Sequence, residues 1–291
     1  MLDLPDMVQE AYQIKQLVLE TSAKDDLLYL SVFISNQQFQ YAVINQTKQQ
    51  VIELADIELI DKHVNDQQAI DLLALLIQNQ LLNHKKFEKV NIAILSNRFT
   101  MLPESFSEAN KLSDLMTFTN GNIGDEKILQ HKTKYCDFCF GMKAEWLDFF
   151  GKTFPNASVR HAGALSISLL FEQFSLRDKQ IYLAIHNSQI EICVKQNNAL
   201  LFYNVFSYES KEDVLYYLLF SMEQLQLNPL LCSMAIAAEL DTNADLIKSI
   251  KKYVKQVDFC VMDKSISIKD KSQTLPQHYY FTLLNQHLCA L

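Results

Sequence analysis

The residues of this chain best suited to chemistry are few and widely spaced. Cys136-Asp-Phe-Cys139 is a CxxC, with His131 upstream and His161 downstream. A structural zinc takes about four convergent N and S ligands, as a rule from two such pairs. One pair is present, and in a strand-like run residues three apart point to opposite faces. The pair therefore reads as buried or half-buried thiols, with metal or redox work as the alternative. Two polar triplets stand in turns, Ser35-Asn36-Gln37 and His186-Asn187-Ser188. Their hydroxyls, amides and imidazole suit contact with a ligand or a partner, and His186 is the natural centre of any repurposed enzyme chemistry. The same residue types are also ordinary turn formers. Lys248, Lys251, Lys252 and Lys255 share one side of a helix, and Lys264, Lys269 and Lys271 follow. Read without interleaved Arg or stacking aromatics, this is a solvated face rather than a nucleic-acid site. The chain has no Ser-His-Asp set, GxSxG elbow, Walker loop or dinucleotide fingerprint.

The elements that must position these residues repeat. Leu28–Ile34, Phe39–Asn45 and Val51–Leu54 read as a strand meander, with Ser35–Gln37 and Asn45–Gln50 as its turns. Asn65 and Gln68 stand at capping-box spacing before a helix whose Ala69, Leu72, Leu73, Leu76 and Ile77 share one face. A buried strand, Val90–Leu95, follows. In the second half Ile181–His186, Gln189–Val194 and Ala199–Asn204 form another meander. The capping box Ser210-x-x-Asp213 then starts a helix striped with Val214, Leu218, Met222 and Leu225. Strand Met234–Ala237, helix Ala244–Val257, strand Phe259–Val261 and a helix over His278–Leu288 complete the unit. The near-constant offset between halves points to an internal duplication.

Residues 96–143 have no counterpart in the second half and read as an insertion, with a helix at Ser107–Phe118 and a strand-like run at Lys127–Phe140. A helix at Ala144–Phe150, a strand at Ser158–His161 and a helix at Ala162–Phe174 close the first half. Tyr12, Ile14, Leu17 and Leu19 suit a segment lying along a sheet edge. The expected architecture is α/β, with mixed sheets flanked by helices in two lobes. The first lobe covers 1–175 and the second 176–291.

Composition narrows the function. In 291 residues with 49% hydrophobic content there are only five glycines, whereas phosphate-cradling loops lean on Gly to reach φ > 0. A net charge of −8 disfavours nucleic acid. The N-terminal stretch lacks the basic and apolar regions of a secretion signal, and no run is long enough to span a membrane. The six scattered cysteines suit reduced thiols in a cytoplasmic protein.

The order of elements resembles the actin-like ATPase superfamily of actin, sugar kinases and the heat-shock chaperone, over roughly residues 26–291. Each lobe of that superfamily is a ribonuclease H-like unit. LYLSVFISNQQFQYAVI and VRHAGALSISLLFEQF are similar to stretches of an uncharacterised bacterial family assigned this fold. The resemblance stops at the ATP site. Phe33 and Ser35 stand where the superfamily's first Asp-x-Gly belongs, Ala184 and His186 at the second, and Ala237-Ala238-Glu239-Leu240 at the adenosine glycine pair. Without the Asp no carboxylate holds hydrated Mg²⁺, and without Gly a Cβ fills the space of the phosphate oxygens. The resemblance thus implies a pseudo-ATPase with no cofactor, in which nucleotide binding is not expected. By analogy with the degenerate actin-like proteins of pilus and secretion platforms, it implies a scaffold or adaptor for an unknown protein partner. Its binding residues would lie at the inter-lobe turns (Ser35, Asn36, Gln37, His186, Asn187, Ser188), with no metal. The alternative is a ligand sensor or vestigial nucleotide binder using the cleft between the lobes.

Overall fold

The computed structural model describes residues 12–19, 27–59, 66–77, 86–102, 112–173, 176, 178, 180–262, 266–268, 275–276 and 278–286. Asn65, Cys289, Lys264, Lys269, Lys271 and the start of the expected Ser107–Phe118 helix lie outside them.

The first sheet contains β1 (Tyr12–Leu19), β2 (Leu28–Ile34), β3 (Gln38–Asn45), β4 (Gln50–Leu59), β5 (Phe87–Ile94) and β9 (Ala157–His161). They run in the order β1-β4-β3-β2-β5-β9. Pairing is antiparallel from β1 to β2, then parallel across β2, β5 and β9. The edge segment expected at Tyr12–Leu19 is β1. Helix α1 (Asp66–Leu76) crosses between β4 and β5.

The second sheet contains β10 (Ile181–Ile185), β11 (Gln189–Gln196), β12 (Ala199–Ser207), β13 (Ser233–Ala238) and β14 (Gln256–Phe259), in the order β12-β11-β10-β13-β14. Its strand order and directions repeat those of β4-β3-β2-β5-β9. The duplication seen in the spacing is therefore a duplication of topology. The β11–β12 turn places Asn197 and Asn198 at φ 50 and 64, a left-handed pair that asparagine tolerates in a two-residue hairpin turn.

Strand alternation divides the core into layers. Along β10, Ile181, Leu183 and Ile185 enter one cluster with Val214, Leu218 and Ile250, while Tyr182 and Ala184 enter another. Along β2, Leu30 and Val32 face away from the layer that takes Phe33. That layer is shared, drawing Phe33, Ala42 and Leu54 from the first sheet and Tyr182, Tyr203 and Ala235 from the second. Helix α4 (Ala162–Glu172) lies in it with every residue from Ala162 to Leu170 buried, as its all-round apolar sequence demands. Lys195 seals the far end of α4, donating from Nζ to the carbonyls of Leu170 (2.7 Å) and Leu176 (3.1 Å).

The insertion is a small sheet of β6 (Phe99–Leu102), β7 (Lys127–Lys132) and β8 (Asp137–Met142), ordered β6-β8-β7, with α2 (Leu112–Asn120) packed on it. The run expected as one strand is a hairpin. The Thr133 hydroxyl accepts from the N–H groups of Tyr135 and Cys136 and turns the chain there. Helix α3 (Ala144–Thr153) leads back to β9.

The capping box starts α5 (Lys211–Gln224) as expected: Ser210 Oγ accepts from Asp213 N and Asp213 Oδ2 from Ser210 N. Helix α6 (Asp245–Tyr253) ends earlier than its periodicity suggests, because Val254 turns extended and β14 begins at Gln256 to pair with β13. The last described helix, α7 (Phe281–Leu284), starts only after Tyr280, whose φ of 57 is left-handed. No helix among the described residues is long and apolar enough to cross a membrane.

Candidate functional site

The two turns singled out from the sequence have the same local geometry. Ser35 N–H donates to Gln38 O at 2.9 Å, and His186 N–H donates to Gln189 O at 2.9 Å. They meet. The Phe33 ring stacks on the His186 ring, with centroids 4.6 Å apart and planes 24° from parallel. Asn36 N–H donates to Gln189 Oε1 at 3.5 Å. Asn187 Nδ2 donates to Glu58 Oε1 at 2.6 Å, and Lys15 pairs with Glu58 Oε2 at 2.9 Å. The phenylalanine at the superfamily's Asp position and the histidine at its Gly position thus pack against each other.

Behind this contact sits a buried polar cluster. Glu191, fully buried, accepts from His186 Nε2 (2.9 Å), Tyr203 OH (2.7 Å) and Ser166 Oγ (2.8 Å). Burial alone would push its carboxyl up, but the hydrogen bonds and the His186 ring outweigh that and hold it below the usual range. Gly163 permits this arrangement: a Cβ there would overlap the Tyr203 ring. A second set of carboxyls lies nearby. Asp56 Oδ1 accepts from Gln38 Nε2 at 2.8 Å and Oδ2 from Tyr280 OH at 3.3 Å. Glu239 Oε1 accepts from Tyr280 N–H at 3.1 Å, and burial pushes the Glu239 carboxyl up to about 7.

On the other side of the first turn a cavity of about 330 Å³ opens between the first sheet, α1, the insertion and α3. Its apolar wall includes Ile34, Phe39, Ile57, Leu73, Ile94, Met142 and Trp146. Its charged groups are internally paired. Arg98 Nη1 meets Glu126 Oε1 at 3.0 Å, and Lys143 meets Asp66, which also accepts from Trp146 Nε1 at 2.9 Å. Glu126 rests on the backbone of Gly141, in the space a Cβ would take.

Of the six expected site residues, Ser35 and Asn36 line this cavity. Gln37 contributes its carbonyl to Leu59 N–H, His186 and Asn187 reach the first half through Phe33 and Glu58, and Ser188 instead accepts at its carbonyl from Tyr208 N–H within its own half. The residues that sequence reasoning missed are Gln38, Asp66, Arg98, Glu126, Lys143 and Trp146, which converge from distant segments. The one available signal was Gly141 within a strand run, a mark of close approach.

The CxxC is divided between a turn and a strand. Cys136 precedes β8 and Cys139 is buried within it, and burial pushes both thiols up to about 11. Among the described residues no group of three or more His, Cys, Asp or Glu side chains is placed to hold a metal. His161 belongs to the core: Gly163 N–H donates to its Nδ1 at 3.0 Å, so Nε2 donates to Ser96 O at 2.8 Å, and burial lowers its pKa to about 4. Lys248, Lys251 and Lys252 are exposed on α6 and Lys255 just beyond it; Tyr253, 49% exposed, falls on the other side of the helix, so no aromatic interleaves with the lysines there.

Residues 19–257 match the family described as "Protein of unknown function (DUF3822)". None of the curated proteins matches the chain. Among solved structures the chain is similar to a Bacteroides thetaiotaomicron protein with actin-like ATPase fold and unknown function. That match has a TM-score of 0.67 and 21% identity, covering 84% of this chain and 94% of the other. It is also similar to a chain of the PilM–PilN type IV pilus biogenesis complex, with a TM-score of 0.55 and 10% identity over 89% and 97% of the two chains. These likenesses establish the actin-like ATPase fold.

Proposed function

The chain belongs to the family described as Protein of unknown function (DUF3822), and from that membership and its fold we propose that it is a non-catalytic cytoplasmic adaptor that binds a protein partner. One observation carries the reading: the turns that frame the nucleotide in the superfamily it resembles are closed on each other by the Phe33–His186 stack. The electrostatics agree. Asp56, Glu58, Glu191 and Glu239 gather around that contact, and a carboxylate-rich junction repels a polyphosphate. The alternative of a sensor with its ligand between the turns needs the space these two rings occupy. A fold relative, the PilM chain, is found in complex with PilN, which supports partner binding as a use of such a fold.

The partner-facing surface in this reading is the aromatic row on α5 beside the edge strand β12. Phe206 stacks on Tyr217 at 4.5 Å, Tyr217 meets Tyr216 at 5.4 Å, and Tyr216 stacks on Phe220 at 5.6 Å. Tyr216 is 59% and Phe220 44% exposed, and rigid exposed aromatics are the residues that anchor interfaces.

The test has two parts. Mg²⁺ with ATP, ADP or GTP should leave the melting point unchanged, whereas a ligand at a hundredfold its Kd adds about 2.7 kcal/mol of stability. A partner captured from cells that make the chain, then purified and rebound by calorimetry, should lose at least about tenfold in affinity to a Tyr216→Ser/Phe220→Ser variant that still folds. ATP hydrolysis above the buffer rate, or a nucleotide-dependent rise in melting point, overturns the reading.

A further inference from the structure

The two sheets repeat each other strand for strand, except at one edge. In the first, β4 is covered: β1 pairs antiparallel along Glu53–Leu59, and Ser267–Ile268 pairs with Gln50 and Val51. In the second, β12 stands in the place of β4. Among the described residues no strand pairs with its outer edge.

The backbone shows how alike the two edges are. Leu59 N–H donates to Gln37 O at 2.9 Å and Tyr208 N–H to Ser188 O at 3.1 Å, which makes Leu59 and Tyr208 equivalent. Along an antiparallel strand the N–H and C=O groups of successive residues face alternate neighbours. Leu54, Asp56 and Glu58 therefore turn theirs outward, to Val18, Gln16 and Gln13 of β1. Tyr203, Val205 and Ser207 turn theirs outward to no strand among the described residues. The Val205 N–H donates instead to Oδ1 of Asn204 at 2.9 Å, so a neighbouring side chain stands in for a strand. Native edge strands are blunted by charge, proline or a bulge. β12 carries neither charge nor proline, and its register shift falls at Leu201, leaving Phe202–Ser207 regular.

The covered edge also shows what an occupant carries. On β1, Tyr12 and Ile14 lie opposite Leu59 and Ile57 and join the apolar layer of that face, while Lys15 pairs with Glu58. The same face of β12 holds Phe202 and Phe206, and Phe206 begins the row that leads to the exposed Tyr216 and Phe220. A strand antiparallel to β12 begins beside Tyr208. There Glu209 and Glu212 are exposed and Asp213 follows, against Lys211 alone. A basic leading residue complements that charge, as Lys15 complements Glu58. A second copy of the chain would bring its uncharged Asn197–Asn198 turn there instead.

We propose that the outer edge of β12 takes up an extended segment of a partner protein, antiparallel to it, with apolar side chains at every second position and basic residues at its leading end. The inference rests on the adaptor reading and gives the partner's mode of attachment.

The probe is the peptide RRTVTFTV, amidated and carrying an N-terminal fluorescein, titrated with the full chain by anisotropy. It should bind saturably. With its Val and Phe side chains on the aromatic row, the threonine N–H groups face β12 and the Val and Phe N–H groups face away. N-methylation of the threonines should therefore weaken binding at least about tenfold, and N-methylation of the other set by less than about threefold. The acidic counterpart EETVTFTV should bind several-fold more weakly. Ser207→Pro removes one outward N–H, leaves the ladder to β11 intact and should cost about tenfold in affinity. If that variant does not fold, the two methylated peptides decide. No saturable binding, equal losses from both methylated peptides, a preference for the acidic peptide, or full affinity in a folded Ser207→Pro chain overturns the proposal. So does a dimer of the chain alone in sedimentation that Ser207→Pro dissociates, because a second copy then holds the edge. Those failures leave the adaptor reading to its own nucleotide and rebinding tests, and ATP hydrolysis with the peptide ranking intact would overturn that reading alone.

Discussion

The two turns at the heart of this molecule share a backbone and have opposite surroundings. Each is closed by one N–H to carbonyl bond of 2.9 Å, from Ser35 to Gln38 and from His186 to Gln189. The second is packed shut, with His186 between the Phe33 ring and the Glu191 carboxylate. The first has one side against that same contact and the other on the cavity. Duplication supplied two equal hairpins, and the side chains around them settled which face is sealed and which is open. The insertion, present in one half only, supplies the far wall of the open one.

That difference gives the largest expected effect. Phe33 is fully buried between the halves, so Phe33→Ala should cost about 3–5 kcal/mol in urea unfolding. Ser35, two residues on, buries a hydroxyl with no partner among the described residues. Ser35→Ala should be neutral or stabilising by up to about 1 kcal/mol, since it removes an unmet polar atom. Equal losses at the two positions would mean that the sealed and open faces of this turn are not distinct.

A smaller effect separates the two glycines that support these faces. By helix propensity alone, Gly163→Ala in α4 should stabilise by about 1 kcal/mol. Its new Cβ would overlap the Tyr203 ring, which is buried and held by Glu191, so the net change should instead be a loss of about 1–3 kcal/mol. At Gly141 the clash is with the carboxylate of Glu126, which can rotate away only by loosening its Arg98 pair, so Gly141→Ala should cost on the order of 1 kcal/mol. Thermal or urea unfolding of both variants reads the sign directly.

Much of the scaffold was legible because it is written locally. Alternating residues in Leu28–Ile34 and Ile181–Ile185, and the i, i+3 pair Ser210 and Asp213, each report on their own segment. The boundaries that slipped did so where a competing bond lay outside the pattern, as at Thr133, whose hydroxyl turns the chain in the middle of a strand-like run. The site was legible only in part. Ser35 and Asn36 stand in a turn that the strand pattern marks out. Arg98, Glu126, Lys143 and Asp66 are ordinary surface charges in sequence and acquire meaning only where four segments converge. The closure of the cleft was half visible: Phe33 at the Asp position showed that a ring replaces a carboxylate, but not that it would find His186.

The subtlest way to probe the sealed face is through its carboxyls, because two of them respond to pH in opposite directions. Burial raises Glu239 to about 7, with Asp56 adding to the rise, while His186 and the Tyr280 N–H act against it. An acid whose folded pKa lies above its ordinary 4.5 holds its proton more tightly in the fold. Its contribution to stability is then fully present below about pH 4.5, declines as pH rises toward 7, and stays lost above that. Glu239→Gln cannot ionise yet keeps an oxygen for Tyr280, so it should match the parent near pH 4.5 and exceed it at pH 8 by on the order of 1–3 kcal/mol. Glu191 is the internal control. Its carboxyl is held below the ordinary range, so the stability it contributes is present above about pH 4.5 and lost as pH falls further. Removing its charge in Glu191→Gln should therefore hurt most at neutral pH, where Glu239→Gln helps. Urea midpoints measured from pH 3 to 8 should show Glu191→Gln dropping below the parent as pH rises from about 3 toward 5, and Glu239→Gln rising above it between about pH 4.5 and 7. Parallel curves would mean that the junction between the halves is wet enough to level the two carboxyls, and that the turns are not sealed.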